Sequence, residues 1–281
     1  MPGQSLAIDI RRVSEARREG TRDSVAVEEP LEIQLASPGP AGCAAKSIAI
    51  TMRTPGDDVE LALGFLYGEG IIERAAQVSD TTTVGRAAPG SDRSNTVRVD
   101  LCAGVEVDLE RLQRHFYTTS SCGVCGKASL DALRVSGVQT LRGVSTRFRR
   151  DVLTAMPERL KAQQDTFKQT GGLHAAAAFD RSGEIVVLRE DVGRHNAVDK
   201  VVGWLLQRER LPAAELGLLV SGRASFELLQ KALLAGMPLL AAVGAPSSLA
   251  VQLAQDFALT LVGFLRAEGF NIYTAADRIT P

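Results

Sequence analysis

The feature that most constrains the fold is a regular alternation of strand and helix patterns from Met156 to the C-terminus. Short apolar runs alternate there with longer amphipathic segments. The strand-like runs include HAAAAF from His174, EIVVLRED from Glu184 and LGLLVSG from Leu216. Strands separated by helices in this way are typical of an α/β layer with a largely parallel sheet. We therefore predict an α/β domain over residues 118–281.

The first half of the chain predicts a smaller α+β domain over residues 25–117. The segments AVEEPLEIQL, KSIAITMRT and TVRVDL have the apolar and β-branched content of strands. Between them, DDVELALGFLYGEGII places acidic residues in the first turn of an apolar-periodic segment, which predicts a helix. Residues 1–24 are charged and weakly patterned, so we expect a loosely ordered N-terminal arm.

Composition excludes several classes of protein. A hydrophobic content of 45% with 23% charged residues is that of a soluble globular chain. The 32 basic and 33 acidic residues nearly cancel, so we expect neither nucleic acid nor an anionic membrane as a partner. No uninterrupted apolar run reaches the roughly 18 residues of a membrane span, and the N-terminus lacks a signal-peptide pattern. We expect a cytoplasmic protein whose four cysteines do not form a disulfide scaffold.

The most reactive feature is a pair of cysteines in TTSSCGVCGKASL, residues 118–130. If a helix begins near Lys127, Cys122 and Cys125 lie just before or inside its first turn, where the helix dipole stabilises a thiolate. The small neighbouring residues leave both sulfur atoms accessible. The pair therefore favours a reactive thiol over a buried structural one, but it fits disulfide exchange and sulfur transfer equally well.

A structural zinc site is a weaker reading of the same pair. Such a site needs four ligands, usually as two close pairs, and the remaining cysteines and histidines are scattered along the chain. These are Cys43, Cys102, His115, His174 and His195. We therefore predict no metal site. A zinc deaminase is disfavoured as well, because Ala176 stands where that class has a glutamate two residues after the histidine.

Two further segments combine polar residues at places where a strand meets a helix. EDVGRHNAVDK carries both charge signs together with His195, and its simpler reading is helix capping by Asn196 or a neighbour. LVSGRASFELLQKA places Arg223 in a small-residue turn before a helix, an arrangement that binds anions. Both segments therefore predict ligand contacts at the carboxyl ends of strands.

Six ordered blocks of the sequence resemble the FdhD family of formate dehydrogenase accessory sulfurtransferases. They are MRTPGDDVELALGFL, TSSCGVCGK, TGGLHAAA, EDVGRHNAVDK, SGRASFELLQKA and GFNIYT, and they span most of residues 52–274. The resemblance implies a sulfur carrier that receives sulfur from a cysteine desulfurase. It then passes the sulfur to the molybdenum bis(molybdopterin guanine dinucleotide) cofactor of formate dehydrogenase, the client enzyme.

The resemblance also assigns roles to residues. Cys122 matches the family's persulfide cysteine, and Cys125 matches the second cysteine of the pair. The family's cofactor-binding segment falls on Phe264, Leu265, Arg266, Ala267, Glu268 and Gly269. With Arg223 and His195 these residues form the predicted cofactor-binding set, for which GDP is the expected mimic.

The family resemblance further implies a homodimer and a mixed sheet with helices on both faces, similar to the cytidine deaminase fold. Two other functions remain open. One is a thiol-disulfide oxidoreductase that uses both cysteines. The other is a chaperone that binds the molybdenum cofactor without catalysis.

Overall fold

The structure is a computed structural model that describes residues 3–14, 18–39, 42–87, 94–105, 107, 133 and 138–281. Its strands are β1 Ser5–Val13, β2 Arg18–Ala26, β3 Glu29–Gly39, β4 Gly42–Arg53, β5 Val78–Ala87, β6 Ser94–Leu101, β7 Phe148–Arg149, β8 His174–Phe179, β9 Ile185–Asp191, β10 Gly217–Val220, β11 Leu239–Ala242, β12 Thr260–Arg266, β13 Gly269–Thr274 and β14 Ile279–Thr280. The described helices are α1 Asp58–Gly68, α2 Arg150–Gln163, α3 Asp165–Thr170, α4 Arg194–Gln207, α5 Phe226–Leu234 and α6 Ser248–Asp256.

The N-terminal part is a four-stranded sheet covered by α1, in agreement with the predicted α+β character. The strand order is β4-β3-β6-β5, with β3 and β6 parallel and the other pairs antiparallel. Alternate residues of β3 and β6 bury their side chains against α1, as the period of a half-buried strand requires. These buried residues include Leu31, Ile33, Leu35, Val97, Val99 and Leu101 from the sheet and Leu61, Ala62 and Leu66 from the helix.

The C-terminal part is a six-stranded mixed sheet in the order β13-β12-β11-β10-β8-β9. The pairs β10/β11 and β11/β12 are parallel, and the other three are antiparallel, so the sheet is less parallel than the alternation of elements alone predicts. Successive strand residues face opposite sides, and both sides carry helices. One face packs on α4, α5 and α6, and the other on α2. The mixed α/β class with helices on both faces is confirmed, whereas the likeness to cytidine deaminases stays a prediction.

Residues 1–24 differ from the expected loosely ordered arm. Their described part forms most of an antiparallel hairpin of β1 and β2, paired from Ser5 with Ala26 to Val13 with Arg18. The hairpin is held by backbone pairing and by contacts with α3, and most of its side chains are exposed. Sequence periodicity did not reveal it because it has no buried apolar face. The domain boundaries at residues 24 and 117 remain predictions.

The polar segment MPERLKAQQDTFKQTG, residues 156–171, has the pattern of one helix but belongs to two helices in the structure. α2 begins earlier, at Arg150, and ends at Gln163, and α3 restarts at Asp165. The Glu190 carboxylate accepts hydrogen bonds from the backbone N–H groups of Thr166 and Phe167, at 3.0 and 2.8 Å. It thereby satisfies N–H groups that the first turn of a helix leaves unpaired. The helix considered to begin near Lys127 lies outside the described residues except for Leu133, which is helical.

The two parts of the chain meet where α1 crosses α4, and two glycines allow the helices to touch. A Cβ atom on Gly64 would lie 1.8 Å from the carbonyl oxygen of Asp199, and one on Gly203 would lie 1.9 Å from that of Glu60. Only glycine permits two helix backbones to approach so closely. The crossing therefore fixes the N-terminal sheet against the larger layer. Among the described helices, none is long and apolar enough to cross a membrane.

Candidate functional site

The candidate site is the carboxyl edge of the large sheet, which we define by the loops 191–195, 221–225, 243–247 and 264–269 together with His174. β10, β11 and β12 are parallel, and β9 runs in the same direction because β8 is antiparallel to both β9 and β10. β8 starts at this edge, so His174 lies opposite Asp191. Ligands of open α/β sheets bind in the crevice outside the carboxyl ends of such strands.

The loop that leads into α4 is fixed by a buried ion pair. Lys200 Nζ lies 2.7 Å from Asp191 Oδ2, and both side chains are fully buried. The other carboxylate oxygen of Asp191 accepts hydrogen bonds from Gly193 N at 2.8 Å and from Asn196 Nδ2 at 3.0 Å. The amide of Asn196 also donates to the carbonyl oxygen of Met52 at 2.7 Å. This network joins the end of β4 to the start of α4.

The polar cluster predicted in EDVGRHNAVDK therefore separates into two groups. Asp191, Asn196 and Lys200 belong to the buried network, and Asp199 pairs with Lys231 at 2.6 Å. The N-cap of α4 is Gly193, so capping by Asn196 is not what the structure has. Arg194 and His195 take part in neither of these two ion pairs and lie at the carboxyl edge of the sheet.

His195 is held by a carboxylate from the neighbouring helix. Its Nε2 atom lies 2.9 Å from Oε2 of Glu227, and the hydrogen bond from His195 lowers the pKa of Glu227. Ser225 Oγ is 3.5 Å from the same nitrogen. A catalytic serine triad would use the two ring nitrogens separately. Both described contacts use Nε2, so they orient the ring but do not form such a triad.

His174 lies beside this pair, at the start of β8. Burial lowers its pKa, and the positive charges of Arg194 and His195 lower it further. A neutral imidazole both donates and accepts hydrogen bonds. Gly222 opposes the ring, and a Cβ atom there would lie 3.4 Å from Nδ1. Burial and the neighbouring positive charges thus disfavour protonation of the His174 ring.

The loops after β10 and β11 pack directly on each other. Gly244 N donates to the carbonyl oxygen of Gly222 at 2.9 Å, and a Cβ atom on Gly244 would press on that oxygen and on Arg223. α5 and α6 begin just beyond these loops, with Ser225 and Ser247 as their N-caps. Their first-turn N–H groups and the exposed Arg223 give this part of the edge a positive potential.

The end of β12 and the turn that leads to β13 complete the edge. Phe264 N donates to the carbonyl oxygen of Gly244 at 3.1 Å, and Arg266 Nη1 donates to the carbonyls of Val243 and Leu265 at 2.7 and 2.8 Å. Phe264 is 46% exposed, whereas the Leu265 side chain is fully buried in the core. Only the backbone of Leu265 is therefore available to a ligand. Ala267, Glu268 and Gly269 form the exposed end of this turn.

Residues 26–280 match the family model described as the FdhD/NarQ family. The chain belongs to the FdhD/NarQ family. It is 51% identical over 259 residues to the sulfur carrier protein FdhD of Streptomyces coelicolor. These residues are 92% of this chain and 89% of the relative. The sulfur carrier protein FdhD of Mycobacterium tuberculosis is 50% identical over 262 residues, which are 92% of each chain. That of Sulfurisphaera tokodaii is 44% identical over 270 residues, 96% of each chain.

The fold of this FdhD/NarQ chain is also that of a solved structure. A proposed formate dehydrogenase accessory protein from Desulfotalea psychrophila superposes with a TM-score of 0.72, over 99% of this chain and all of the other. The two sequences are 22% identical, so this likeness concerns the fold. It confirms the α/β class inferred from the alternation of elements.

The predicted residues of the FdhD/NarQ chain are distributed along one edge. His195 and Arg223 lie on adjacent loops, and the segment Phe264–Gly269 lies three strands from His174, roughly 14 Å by the spacing of neighbouring strands. Cys122 and Cys125 lie outside the described residues. Cys102 is a free, partly exposed thiol after β6, with Sγ 3.3 Å from the carbonyl oxygen of Ala76.

Sequence reasoning missed Glu227, which holds His195 in the FdhD/NarQ site. The available signal was weak, since an acidic residue in the first turn of a helix is expected for the helix dipole alone. Its contact with His195 joins α5 to α4 and depends on the packing of the two helices. Arg194 was noticed only as one charge among several.

Proposed function

We propose that this chain is a sulfurtransferase that carries sulfur as a Cys122 persulfide. The sulfur comes from a cysteine desulfurase and passes to the molybdenum bis(molybdopterin guanine dinucleotide) cofactor of formate dehydrogenase. The observation that carries the proposal is about 50% identity, over most of the chain, to relatives named sulfur carrier protein FdhD. The pair Cys122 and Cys125, in a run of small residues, supplies the thiol that such a carrier needs.

The proposed transfer balances in two steps. The Cys122 thiolate attacks the terminal sulfur of the donor persulfide, so that a new S–S bond forms and the donor cysteine leaves as a thiolate. The acceptor substrate then attacks the terminal sulfur with its own electron pair, the new S–S bond breaks, and Cys122 leaves as a thiolate, so the acceptor is formally oxidised by two electrons as the sulfane sulfur becomes sulfide. No outside oxidant is required because the sulfur keeps its sulfane character until it reaches the acceptor.

We place the cofactor, which is the acceptor substrate, along the carboxyl edge. Supporting observations are the cationic residues Arg194 and Arg223 and the helix N-termini behind Ser225 and Ser247, which suit the phosphates of a guanine dinucleotide. In this proposal His195, Arg223 and the exposed residues of the Phe264–Gly269 turn contact the cofactor. An elongated ligand suits a row of polar loops that extends across several strands.

Mass spectrometry tests the carrier role. After incubation with a cysteine desulfurase and cysteine, the protein is expected to gain the mass of a sulfur atom, located on the peptide that contains Cys122. Cys122→Ala abolishes this gain, whereas the matched control Cys125→Ala retains it. Equal labelling of the Cys122→Ala variant would falsify the assignment. Loss of client activation in both variants, with a Cys122–Cys125 disulfide in the resting protein, would favour the thiol-disulfide oxidoreductase instead.

We also propose that the chain acts as a homodimer in the cytoplasm. Support comes from apolar side chains exposed on the hairpin and on the edge strand β4, namely Leu6, Ile8, Ile50 and Met52. Solvent-exposed apolar side chains grouped on strands are typical of interaction surfaces. Sedimentation equilibrium decides the point, since the proposal requires twice the mass of the single 29.9 kDa chain.

A further inference from the structure

Arg194 has an unusual environment for a cationic side chain. It is the first residue of α4, it is partly buried, and its Nε atom is sealed from solvent without a hydrogen-bond acceptor. No hydrogen bond or ion pair within the described part of the chain engages its guanidinium group. Burial of a charged donor without an acceptor costs free energy, so such groups normally have a partner.

The carboxylates around Arg194 are already engaged by other cations. Asp191 binds Lys200 at 2.7 Å, Glu227 binds His195 at 2.9 Å, and Asp199 binds Lys231 at 2.6 Å. The charge of Arg194 nevertheless acts on His174. After burial, it is the second-largest cause of the lowered pKa of His174. Arg194 is therefore close to His174 and also helps to lower the pKa of Glu227, but it forms no ion pair with these three carboxylates.

Three other arginines in the described part of the chain do have acceptors for their guanidinium groups. Arg53, fully buried, is paired with Asp58 at 2.9 Å and with Glu29 at 3.4 Å. Arg278 also has an unpartnered Nε, but its other nitrogens donate to Ala258 and Leu141 carbonyls. Arg266 donates to two carbonyls and so fixes the turn after β12. Within the residues that the structure describes, Arg194 has no such acceptor at any nitrogen.

We propose that Arg194 binds a phosphate group of the guanine nucleotide ligand at the carboxyl edge. The planar guanidinium presents two parallel N–H donors to phosphate oxygens, and the N-terminus of α4 adds its dipole in the same place. Beside it, His174 offers an uncharged donor and acceptor, and Gly222 leaves the space in front of the ring free. The inference rests on the proposed function because it takes a guanine nucleotide as the ligand.

Calorimetric titration of the full chain with GDP, GMP and guanosine tests the role of Arg194. For the unmodified protein, GDP is expected to bind more tightly than guanosine. Arg194→Gln is expected to weaken GDP binding at least about tenfold, which is typical of a lost charged hydrogen bond, and to leave guanosine binding unchanged. The control Arg208→Gln removes an exposed arginine from the opposite end of the same helix, where it stacks on Trp204 at 4.1 Å, and should change neither affinity.

Each outcome decides the inference. If Arg194→Gln binds GDP as well as the unmodified protein, or loses GDP and guanosine equally, the phosphate role is wrong while the proposed function stands. If the unmodified protein binds no guanine ligand, the proposed cofactor site fails and the inference fails with it. If the glutamine variant does not fold, as judged by circular dichroism, Arg194→Lys is titrated in its place. The ratio of GDP to guanosine affinity should then fall, because a lysine lacks the fork geometry.

Discussion

Two buried ion pairs hold the residues around the mouth of the candidate site. Asp191 with Lys200 and Asp199 with Lys231 both involve atoms of α4. Burial disfavours the charged form of Lys231, but the negative charges of Asp199, Glu69 and Glu227 together outweigh burial and raise the pKa of Lys231. Charges that are paired inside the protein rigidify their surroundings because breaking either pair leaves an uncompensated charge. Arg194 and His195 therefore lie in the first turn of α4, and the two buried ion pairs fix the position of that turn.

His174 yields a prediction about pH. Its pKa is lowered by burial and by Arg194 and His195, so the unfolded chain binds the proton first as the pH falls. The contribution of His174 to stability is complete above its ordinary pKa of about 6.5 and decreases as the pH falls through that value toward the folded pKa. An NMR titration of the ring should place its midpoint below that ordinary value.

The same titration separates the causes of the His174 shift. Arg194→Gln removes one repelling cation, so the His174 midpoint should move upward, and Arg208→Gln should leave it in place. The chain has three histidines, so the His174→Asn variant assigns the resonance directly. A midpoint at or above the ordinary histidine value in the unmodified protein would contradict the burial seen here.

At the scale of elements, the α1/α4 crossing makes two glycines indispensable. Gly203→Ala places a methyl group within van der Waals overlap of the Glu60 carbonyl, so the helices must separate and lose packing along their whole contact. We expect a loss of at least about 2 kcal/mol in the free energy of unfolding. Urea denaturation measures this loss.

The matched control for the glycine prediction is Gly143→Ala. No atom lies within 4 Å of a Cβ atom at Gly143, so this change should leave stability nearly unaltered. Similar losses in the two variants would mean that the close crossing of α1 and α4 does not contribute as described.

The sequence predicts an element well when neighbouring residues determine it, and poorly when residues far apart in the chain do. β8 to β13 and the helices between them follow from apolar periodicity and from turn residues, and the structure has them in the expected order. The β1/β2 hairpin was missed because its pairing buries little apolar surface. The Glu227 contact with His195 and the meeting of Gly64 with α4 were missed because each joins residues far apart in the chain. The meeting of these loops at one edge was predictable because the carboxyl ends of parallel strands lie together in such sheets, and the role of that edge in binding a ligand stays a prediction.

At the scale of the molecule, Gln4 joins three parts of the chain. Its side-chain amide donates to the Pro55 carbonyl at 2.9 Å and accepts from Thr166 Oγ1 at 2.9 Å, and its own carbonyl accepts from Val27 N. The residue is 8% exposed. Gln4 thereby connects the hairpin to the end of β4 and to α3.

Gln4→Ala should release the hairpin from the body. The variant loses two buried hydrogen bonds, each worth about 1 kcal/mol, so amides of β1 and β2 should exchange with solvent faster while those of β10 and β11 keep their protection. Hydrogen–deuterium exchange with mass spectrometry measures both. Ser5→Ala, which removes only an exposed 3.4 Å contact with Gln169, is the control and should leave the hairpin protected. Unchanged exchange in the Gln4 variant would show that the hairpin is held by other contacts.

The α1/α4 crossing has a further consequence for protein engineering. The helices clamp the chain before residue 106 to the chain after residue 137, so the halves are held together by packing as well as by the peptide that links them. Cys122 and Cys125 belong to that linking peptide. Glycine-serine insertions on either side of the pair would therefore lengthen the link between the halves, and with it the distance that the proposed Cys122 persulfide can span, while the α1/α4 crossing keeps the carboxyl edge intact.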